Sequence, residues 1–406
     1  MVPLEGAMKI LVLNCGSSTV KFQLIETASA SRSSQNDRKV ARGLVDRIGN
    51  NASCRFEVVG FPSEEKAEAV RNHEEAVERV IQWLNSKEGL RDFSAVGHRV
   101  VHGGERFTTS VVIDDDVIAV LDELSELAPL HNPGSVSGIR AARSVLGTAM
   151  PMVAAFDTSF HRTLPEYAST YAIPYELTVK HHIRRYGFHG LAHQYSALRY
   201  RELTRTPENK TNIITLHLGN GCSASAIRGG ESVDTSMGFT PLEGLVMGTR
   251  SGDLDPALVT YLAEKEGVRA SEVENWLNLR SGLLGLSGLS NDMRELAATY
   301  DKNPRSRLAV DVFCYRARKY LGAYLAVVGD ADAVVFSGGI GENSPLVREK
   351  ICANMKWCGL ILDAKANAAV IGRDGQISTH GSKLDAYVVH TDEEMIIARE
   401  TARLVG

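Results

Sequence analysis

Residues 9–25 read KILVLNCGSSTVKFQLI, two apolar, β-prone runs joined by a link of small polar residues. A plain hairpin needs only two turn residues, such as Asn-Gly or Asp-Gly. This link is longer, and it gathers backbone N–H groups, the hydroxyls of Ser17 and Ser18, a threonine hydroxyl and the ammonium of Lys21. Such a loop suits a phosphate group, which binds to several donors and a nearby cation. An ordinary hairpin with a polar tip is the alternative for this stretch taken alone.

A second stretch repeats this design in the second half of the chain. Residues 213–227 read IITLHLGNGCSASAI, again strand, small-residue loop and strand. Two such units predict two related domains that each present a phosphate-binding hairpin. Coincidence between two Gly/Ser-rich hairpins is the alternative. A third glycine-rich turn, SGGIGEN at 337–343, follows a predicted strand and precedes a predicted helix, where a helix N-terminus can meet a nucleotide.

Length and composition bound the class of protein. The chain has 406 residues, which exceeds what one hydrophobic core usually supports, so two domains are expected. A formal net charge of −4 gives no footprint for nucleic acid or an anionic membrane surface. No apolar run is long enough to cross a bilayer, and the N-terminus lacks the basic start of a signal peptide. Six cysteines without paired spacing argue against disulfides and a zinc site, and they predict a cytoplasmic protein.

Helix-like and strand-like segments alternate along the chain, which predicts the α/β class. The runs AVGHRVV and PMVAAFD read as buried strands, and Val70, Val77, Ile81 and Leu84 predict one amphipathic helix over 65–85. The sequence contains neither a GxxxxGK[ST] loop nor GxGxxG. Phosphate binding therefore needs another architecture. Paired hairpins from duplicated domains that clamp a nucleotide resemble the actin, hexokinase and Hsp70 ATPase fold.

Ten short blocks narrow the resemblance further. In chain order they are NCGSSTVK, GHRVVHGGE, APLHNP, AFDTSFH, YGFHG, HLGNGCS, MGTRSGDLDP, SGLLGLSG, GGIGEN and TDEE. Together they resemble the acetate kinase family across nearly the whole chain. The resemblance implies a phosphotransferase with a carboxyl acceptor, which converts acetate and ATP to acetyl phosphate and ADP by direct in-line transfer, reversibly and with Mg²⁺, or Mn²⁺ in its place. It also implies a homodimer, with no nucleic-acid or membrane partner.

The resemblance implies two duplicated actin-like (ribonuclease H-like) domains with an active-site cleft between them. We expect residues 1–7 to be a disordered lead-in. The first domain is expected to span 8–156 and to be completed by the C-terminal helix at 393–406. The second is expected to span 157–392.

Two arginines stand in strand-end or glycine-rich contexts instead of on a solvated helix face. Arg99 follows an apolar strand start, so its charge must find an anion, and Arg250 lies among small residues. A structural salt bridge is the alternative for each. The resemblance implies that Arg99 meets the acetate carboxylate or the transferring phosphoryl group, that Arg250 stabilises the transition state, and that His189 donates to phosphoryl oxygens. His131 would assist beside the carboxylate.

Asp157 ends a predicted strand, where active-site residues are often presented. A general base is not needed, because acetate, with a pKa of about 4–5 by analogy with Asp and Glu, arrives ionised. We therefore expect Asp157 to position Arg99, Arg250 or a metal-bound water by charge-assisted hydrogen bonds.

The remaining expected site residues fall into three groups. Asn14 and Glu393 are the expected magnesium neighbours, because Mg²⁺ prefers oxygen ligands and uses few protein carboxylates; compensation of the helix dipole is the alternative for Glu393. The resemblance implies a small apolar acetate pocket at Val101, Leu130, Phe188 and Pro241, beside His131. The expected ATP-binding residues are Ser17, Ser18, Lys21, His217, Leu218, Gly219, Asn220, Gly221, Asp292, Met293, Arg294, Gly339, Ile340, Gly341, Glu342 and Asn343.

Three other functions remain open at this point. A propionate or other short-chain acyl kinase would share the fold. An Hsp70-like ATPase module would need a peptide-binding appendage, and none is visible after Gly406. A sugar or polyol kinase would need a general base and a polar pocket, which the expected apolar pocket and Arg99 disfavour.

Overall fold

The computed structural model describes residues 7–28, 37–49, 51–126, 128–129 and 131–406. The chain divides into unit 1, Met1–Ser159 with Asp392–Gly406, and unit 2, Phe160–Thr391. Most of the expected lead-in, residues 1–6, lies outside the described residues, and its last residue, Ala7, is the first residue of a strand. The expected domain limits after 156 and 392 stay predictions. The limits of the two units, after Ser159 and after Thr391, lie close to them.

The strands and helices of the two units alternate along the chain. The strands are β1 (Ala7–Cys15), β2 (Thr19–Ala28), β3 (Arg38–Asp46), β4 (Asn51–Val58), β5 (Glu64–Ala69), β6 (Ala95–Val100), β7 (Val111–Val112), β8 (Met152–Phe156), β9 (Ile213–Leu218), β10 (Cys222–Arg228), β11 (Glu231–Thr235), β12 (Ala333–Ser337), β13 (Gly375–Gln376) and β14 (Asp385–Val388). The helices are α1 (His73–Asn85), α2 (Asp115–Glu123), α3 (Asn132–Leu146), α4 (Glu166–Ser169), α5 (Tyr175–His181), α6 (Gly190–Thr204), α7 (Ala257–Glu266), α8 (Ala270–Leu279), α9 (Gly282–Ser287), α10 (Met293–Ala298), α11 (Pro304–Val328), α12 (Gly338–Asn343), α13 (Pro345–Cys352), α14 (Ala364–Ala369) and α15 (Glu393–Val405).

Unit 1 is built on a mixed sheet whose described strands lie in the order β5-β4-β3-β2-β1-β6-β8-β7. β1 pairs antiparallel with β2 and parallel with β6, and β6 pairs parallel with β8. The carboxyl ends of β1, β6 and β8 therefore meet at one edge of the sheet, where ligands bind in open α/β sheets.

Both faces of the unit 1 sheet are covered by helices. Leu11 and Leu13 of β1 lie in a core that includes buried residues of α1 and α3. On β6, a Cβ added at Gly97 would lie 2.7 Å from Ile397 Cγ2 of α15, so the glycine permits this helix to approach closely. Sheets with helices on both faces have strands that are apolar throughout, as the runs in β1 and β8 are.

Unit 2 repeats the arrangement of unit 1. Its described strands lie in the order β11-β10-β9-β12-β14-β13. β9 pairs antiparallel with β10 and parallel with β12, and β12 pairs parallel with β14, as β1, β2, β6 and β8 do in unit 1. Helix α11 packs on β9 and β10, and α6 packs on β9 and β12. The sequence prediction of two related strand–loop–strand units is confirmed.

Two local predictions were wrong. The predicted helix over 65–85 is a strand, β5, followed by α1, which begins only at His73. The side chain of Asn72 caps this helix by accepting a hydrogen bond from Glu75 N at 3.0 Å, and β5 instead pairs with β4. The predicted glycine turn in SGGIGEN is a short helix, α12.

No helix within the described ranges has the length and apolar content needed to cross a lipid bilayer.

Candidate functional site

The carboxyl edge of the unit 1 sheet brings three predicted residues together. Asn14 lies near the end of β1, Arg99 near the end of β6, and Asp157 directly after β8. Because these strands are parallel neighbours, residues distant in sequence meet here. Glu393, the first residue of α15, reaches the same edge.

Arg99 and Asp157 form a two-pronged ion pair. Arg99 Nε donates to Asp157 Oδ1 at 3.0 Å, and Arg99 Nη2 donates to Oδ2 at 2.6 Å. Asp157 is fully buried. Burial disfavours the charged guanidinium, but the negative charges of Asp157 and Glu393 outweigh this effect and hold the pKa of Arg99 above its ordinary value. Arg99 is therefore a fixed cation at this edge.

Two further oxygen groups surround the same guanidinium. Arg99 Nη1 donates to Asn14 Oδ1 at 3.4 Å, and Arg99 Nε lies 3.5 Å from Glu393 Oε2. Burial raises the pKa of Glu393 to about 7, although the charge of Arg99 opposes the shift. The edge thus gathers amide and carboxylate oxygens around one cation, and that oxygen set suits a divalent cation such as Mg²⁺.

The first hairpin presents its polar link at the surface. Ser17 and Ser18 are exposed between β1 and β2. The ammonium of Lys21 lies 2.6 Å from Glu394 Oε1, and this side chain is half exposed. The structure therefore gives Lys21 a partner from α15 that the sequence did not indicate.

The segment after β6 is fastened to the start of α3. Asn132 Nδ2 donates to His102 O at 3.0 Å, and His102 N donates to Asn132 Oδ1 at 3.1 Å. These two hydrogen bonds fix the backbone next to two expected acetate-pocket residues, Val101, which precedes His102, and His131, which precedes Asn132. Asn132 is buried and was missed by the sequence analysis, although it follows His131 in the block APLHNP. Leu130 lies outside the described residues.

In unit 2, His189 and Arg250 lie beside the tip of the second hairpin. A Cβ added at Gly221 would lie 3.2 Å from His189 Nε2 and 3.7 Å from Arg250 Nη1. The glycine thus leaves room between the hairpin and these two side chains. Arg250 Nη1 donates to Pro241 O at 3.2 Å, which brings this expected acetate-pocket residue to the same place. Phe188, buried, precedes His189 in the chain.

Arg250 differs from Arg99 in its surroundings. In the described part of the chain no carboxylate pairs with its guanidinium, and burial lowers its pKa from the ordinary value. The protein therefore holds a half-buried cation whose charge is not compensated by a neighbouring side chain. Such a group is suited to an anionic ligand.

A chain of hydrogen bonds orients His189. Its Nδ1 lies 2.9 Å from Ser223 Oγ, which lies 2.8 Å from His193 Nε2, while His193 Nδ1 lies 2.7 Å from Thr215 Oγ1. Burial, with His161 and His217 nearby, holds the pKa of His193 well below its ordinary value, so its ring is neutral. His193 and Ser223 were missed by the sequence analysis.

Unit 2 also contains a cavity of about 900 Å³. Eight of the expected ATP-binding residues line it: Gly219, Asn220, Asp292, Met293, Arg294, Gly339, Ile340 and Asn343. Five further lining residues were missed: Asn291, Ala297, Ser344, Pro345 and Leu346. Asn291 directly precedes Asp292, and its Nδ2 donates to Asn220 Oδ1 at 2.9 Å, which ties the two sides of the cavity together.

The other expected residues of this group do not line the cavity. His217 Nδ1 lies 3.2 Å from Ser337 Oγ of the neighbouring strand, Leu218 is buried, and Gly221 faces His189. Gly341 and Glu342 are buried within α12.

The carboxylate of Glu342 binds neighbouring segments of unit 2. It accepts hydrogen bonds from Gly338 N at 3.0 Å, Thr391 N at 3.0 Å and His390 Nδ1 at 2.6 Å. Burial alone would raise the pKa of Glu342, but the bonds from His390 and Thr391 outweigh it and keep the pKa below the ordinary value. Glu342 thus fastens α12 to the segment after β14.

Comparison with known proteins gives a consistent answer over the whole length. The family model described as the Acetokinase family matches residues 9–399. The chain is 52% identical to an acetate kinase of Solibacter usitatus (strain Ellin6076), over 98% of each protein. Its structure is similar to that of Porphyromonas gingivalis acetate kinase, with a TM-score of 0.90, 40% identity and coverage of 98% of this chain and 100% of that one. A propionate kinase from Francisella tularensis subsp. tularensis SCHU S4 also gives a TM-score of 0.90, at 39% identity and the same coverage.

The resemblance inferred from the ten sequence blocks is confirmed by these matches, and so is the α/β fold with two duplicated actin-like domains. The chain belongs to the acetokinase family.

Proposed function

We propose that the protein catalyses the reversible transfer of the γ-phosphoryl group of ATP to acetate, giving acetyl phosphate and ADP. The observation that carries this proposal is the uncompensated guanidinium of Arg250 beside His189 and Gly221. Phosphoryl transfer depends mainly on alignment and on cations that offset charge on the equatorial oxygens. The family match over residues 9–399 supports the same reaction.

In the proposed reaction a carboxylate oxygen of acetate forms the new bond to the γ-phosphorus, and the bond from that phosphorus to the bridging oxygen of ADP breaks. No proton is removed from acetate, because it is ionised at neutral pH. We assign Asp157 the task of holding Arg99 toward the anions, which its two hydrogen bonds to Arg99 support. Arg250 and His189 would offset charge on the phosphoryl oxygens.

The orientation of His189 is part of this proposal. The contact of its Nδ1 with Ser223 Oγ at 2.9 Å helps to hold the ring beside Arg250. A protonated ring nitrogen of His189 would donate to a phosphoryl oxygen there, next to the charge of Arg250.

We propose that the ATP phosphates are bound by Gly219, Asn220 and Gly221 of the second hairpin and by Ser17, Ser18 and Lys21 of the first. The cavity of unit 2 has room for the adenosine end beside 292–294 and 339–343. Four expected residues do not line the cavity and would support the site indirectly: His217, Leu218, Gly341 and Glu342.

We propose Mg²⁺ as the divalent cation, with Mn²⁺ able to replace it, held near Asn14 and Glu393. The oxygen atoms of both residues approach Arg99, and burial raises the pKa of Glu393 to about 7, so a second cation beside this carboxylate would favour its charged form. When bound, the ion would neutralise charge on the ATP phosphates.

The acid-binding pocket is proposed at Val101, Leu130, His131, Phe188 and Pro241. An apolar pocket discriminates one methylene by only about 1–3 kcal/mol, so propionate should be a poorer but real substrate. The likeness to a propionate kinase makes this acid the second candidate. The hydroxamate assay with ATP, Mg²⁺ and equal concentrations of acetate, propionate and butyrate should give rates that fall in that order. Equal rates for the three acids would contradict the pocket.

We further propose that the two units are separate domains, and that the protein is a cytoplasmic homodimer. Exposed apolar side chains of unit 2, such as Tyr167, Tyr175 and Val179, support a second copy as partner. The six cysteines all lie in the described ranges and are free thiols, as expected in a reducing compartment. Sedimentation velocity should give twice the mass of one chain; a monomer at micromolar concentration would contradict the dimer.

A further inference from the structure

Arg348 of α13 is the largest fully buried side chain of the described residues, and all its N–H groups are used. Nε donates to Asn367 Oδ1 at 2.8 Å. Nη1 donates to Gly341 O at 2.8 Å and Glu342 O at 2.9 Å. Nη2 donates to Asn367 O at 2.7 Å and Val370 O at 2.8 Å. A guanidinium has five N–H donors, so no donor is left for a ligand.

The acceptors are mostly the last carbonyl groups of two helices. Gly341 and Glu342 lie at the end of α12, and Asn367 and Val370 at the end of α14. The last carbonyls of a helix lack partners within the helix and carry partial negative charge, so a cation stabilises them. In the described ranges no carboxylate pairs with Arg348. Burial lowers its pKa to about 10, which leaves it charged at neutral pH.

Helix α12 forms one wall of the proposed nucleotide cavity. Its Gly339, Ile340 and Asn343 line the cavity, whereas Arg348 does not. A helix of six residues is not stable alone, because nucleation is unfavourable. The position of this wall therefore depends on what holds α12. Arg348 binds the carbonyl groups at its end, and the carboxylate of Glu342 binds Gly338 N at its beginning.

We infer that Arg348 is a positioning residue for nucleotide binding: its guanidinium fixes the end of α12 against α14 and thereby sets the wall formed by Gly339, Ile340 and Asn343. This inference rests on the proposed ATP site. It predicts that nucleotide binding and acid binding respond differently to the substitution, which general structural damage would not produce. Nucleotide affinity falls when the guanidinium is replaced, while the acid site, which is built from other segments, is unaffected.

The test compares Arg348→Met and Arg348→Lys with a matched control, Arg318→Met. Arg318 of α11 also donates to helix-terminal carbonyls, with Nε 3.1 Å from Ile351 O and a second bond to Lys350 O, but it makes no bond to α12. ADP affinity is measured by calorimetry, KM for ATP and for acetate by the hydroxamate assay, and thermal unfolding by circular dichroism.

For Arg348→Met we expect the Kd for ADP and the KM for ATP to rise about tenfold or more, because a wall displaced by a fraction of an ångström loses aligned contacts. The KM for acetate should change less than about twofold. Arg348→Lys keeps the charge but satisfies fewer carbonyls, so it should give a smaller loss. Arg318→Met should lower the unfolding temperature without changing the Kd for ADP.

Folded Arg348 variants that bind ADP as the wild type does, or that raise both KM values equally, would overturn the inference and leave the proposed function standing. Wild-type protein that binds no ADP would instead refute the nucleotide site itself. If neither Arg348 variant folds, Asn367→Ala decides, since it keeps the guanidinium but removes one of its acceptors, together with the bond from Asn367 Nδ2 to Pro345 O. We expect its Kd for ADP to rise about threefold; an unchanged Kd would overturn the inference.

Discussion

At the scale of single residues, the two arginines of the proposed site have opposite environments. Arg99 is held by the buried carboxylate of Asp157, whereas Arg250 has no carboxylate partner in the described part of the chain. One cation is thus fixed in direction by the protein, and the charge of the other is available to a ligand. The sequence analysis expected Arg99 to meet an anion, and it expected Asp157 to position Arg99, Arg250 or a metal-bound water. The ion pair was therefore one of three predicted possibilities for Asp157. Choosing among them required the strand order.

Asp157→Asn should lower kcat by about 100-fold or more, because the neutral amide cannot hold both prongs of the Arg99 guanidinium and a misdirected cation no longer meets the anions. The KM for ATP should change little. Turnover by the hydroxamate assay measures the effect.

Asp311→Asn is the matched control for that substitution. It also removes a carboxylate from an ion pair, with Lys350 Nζ at 2.8 Å, but this pair is partly exposed and lies away from the proposed site residues. Its turnover should stay near that of the wild type. If Asp157→Asn also turns over normally while binding Mg²⁺ normally, the positioning role of Asp157 is wrong.

Ser223→Ala should lower kcat about tenfold, because His189 loses its hydrogen bond with Ser223 Oγ, which helps to fix the orientation of the ring. Ser225→Ala, two residues along the same strand, is the control: its hydroxyl contacts Ser232 Oγ and Asp234 O instead. Equal rates for the two variants would show that Ser223 does not act through His189.

The relay through Ser223 and His193 was not predictable from the sequence. His189 precedes α6 and Ser223 lies in β10, which pairs with β9, so their contact depends on how α6 packs on this sheet. His193 lies one helical turn after His189, a spacing that places both on one face of a helix. That spacing was the one available signal, and by itself it cannot distinguish a buried structural histidine from an orienting one.

At the scale of elements, the hairpins and the parallel strands were predictable because each has its own pattern of apolar and small residues. The helix predicted over 65–85 was wrong because Val70 fits the helical period while the preceding residues pair with β4. Periodicity does not record strand pairing, and in this segment the sheet decided. The GGIGEN helix was missed for a similar reason: a glycine-rich segment of low helix propensity is stabilised by side-chain contacts, since Arg348 joins its last carbonyls to Asn367 and Glu342 joins it to Thr391.

Gly338 begins α12 with a backbone that a side chain would disturb. Its φ is +75°, and an added Cβ would lie 2.7 Å from Leu218 O. Gly338→Ala should therefore lower the free energy of unfolding by about 2 kcal/mol or more and weaken ADP binding. Urea denaturation and calorimetry measure the two effects.

Gly322→Ala is the control within a helix. Gly322 lies inside α11, and apart from the backbone of that helix no heavy atom lies within 4 Å of an added Cβ. This substitution should raise the free energy of unfolding by about 0.5–1 kcal/mol, because alanine favours the helical backbone. Equal effects of the two substitutions would contradict the account of Gly338.

At the scale of the whole molecule, each unit has the same five-strand order, β3-β2-β1-β6-β8 in unit 1 and β11-β10-β9-β12-β14 in unit 2. The duplication was predictable from two similar hairpins, and the C-terminal helix was expected to complete the first domain. The distribution of the expected site residues over the two units was harder to predict from the sequence. Unit 1 contains Asn14, Arg99, Asp157 and Glu393, while unit 2 contains His189, Arg250 and the cavity. Strand topology, not local sequence, assigns each residue to its unit.

An ATPase module on the same fold would hydrolyse ATP whether or not a carboxylic acid is present, and this separates it from the proposed kinase. The deciding measurement is therefore ADP release and acyl hydroxamate formation in the same reaction, with ATP and Mg²⁺, in the presence and absence of acetate. We predict one hydroxamate per ADP with acetate, and almost no ADP without it. ADP release that is unchanged by acetate, with no hydroxamate formed, would contradict the account.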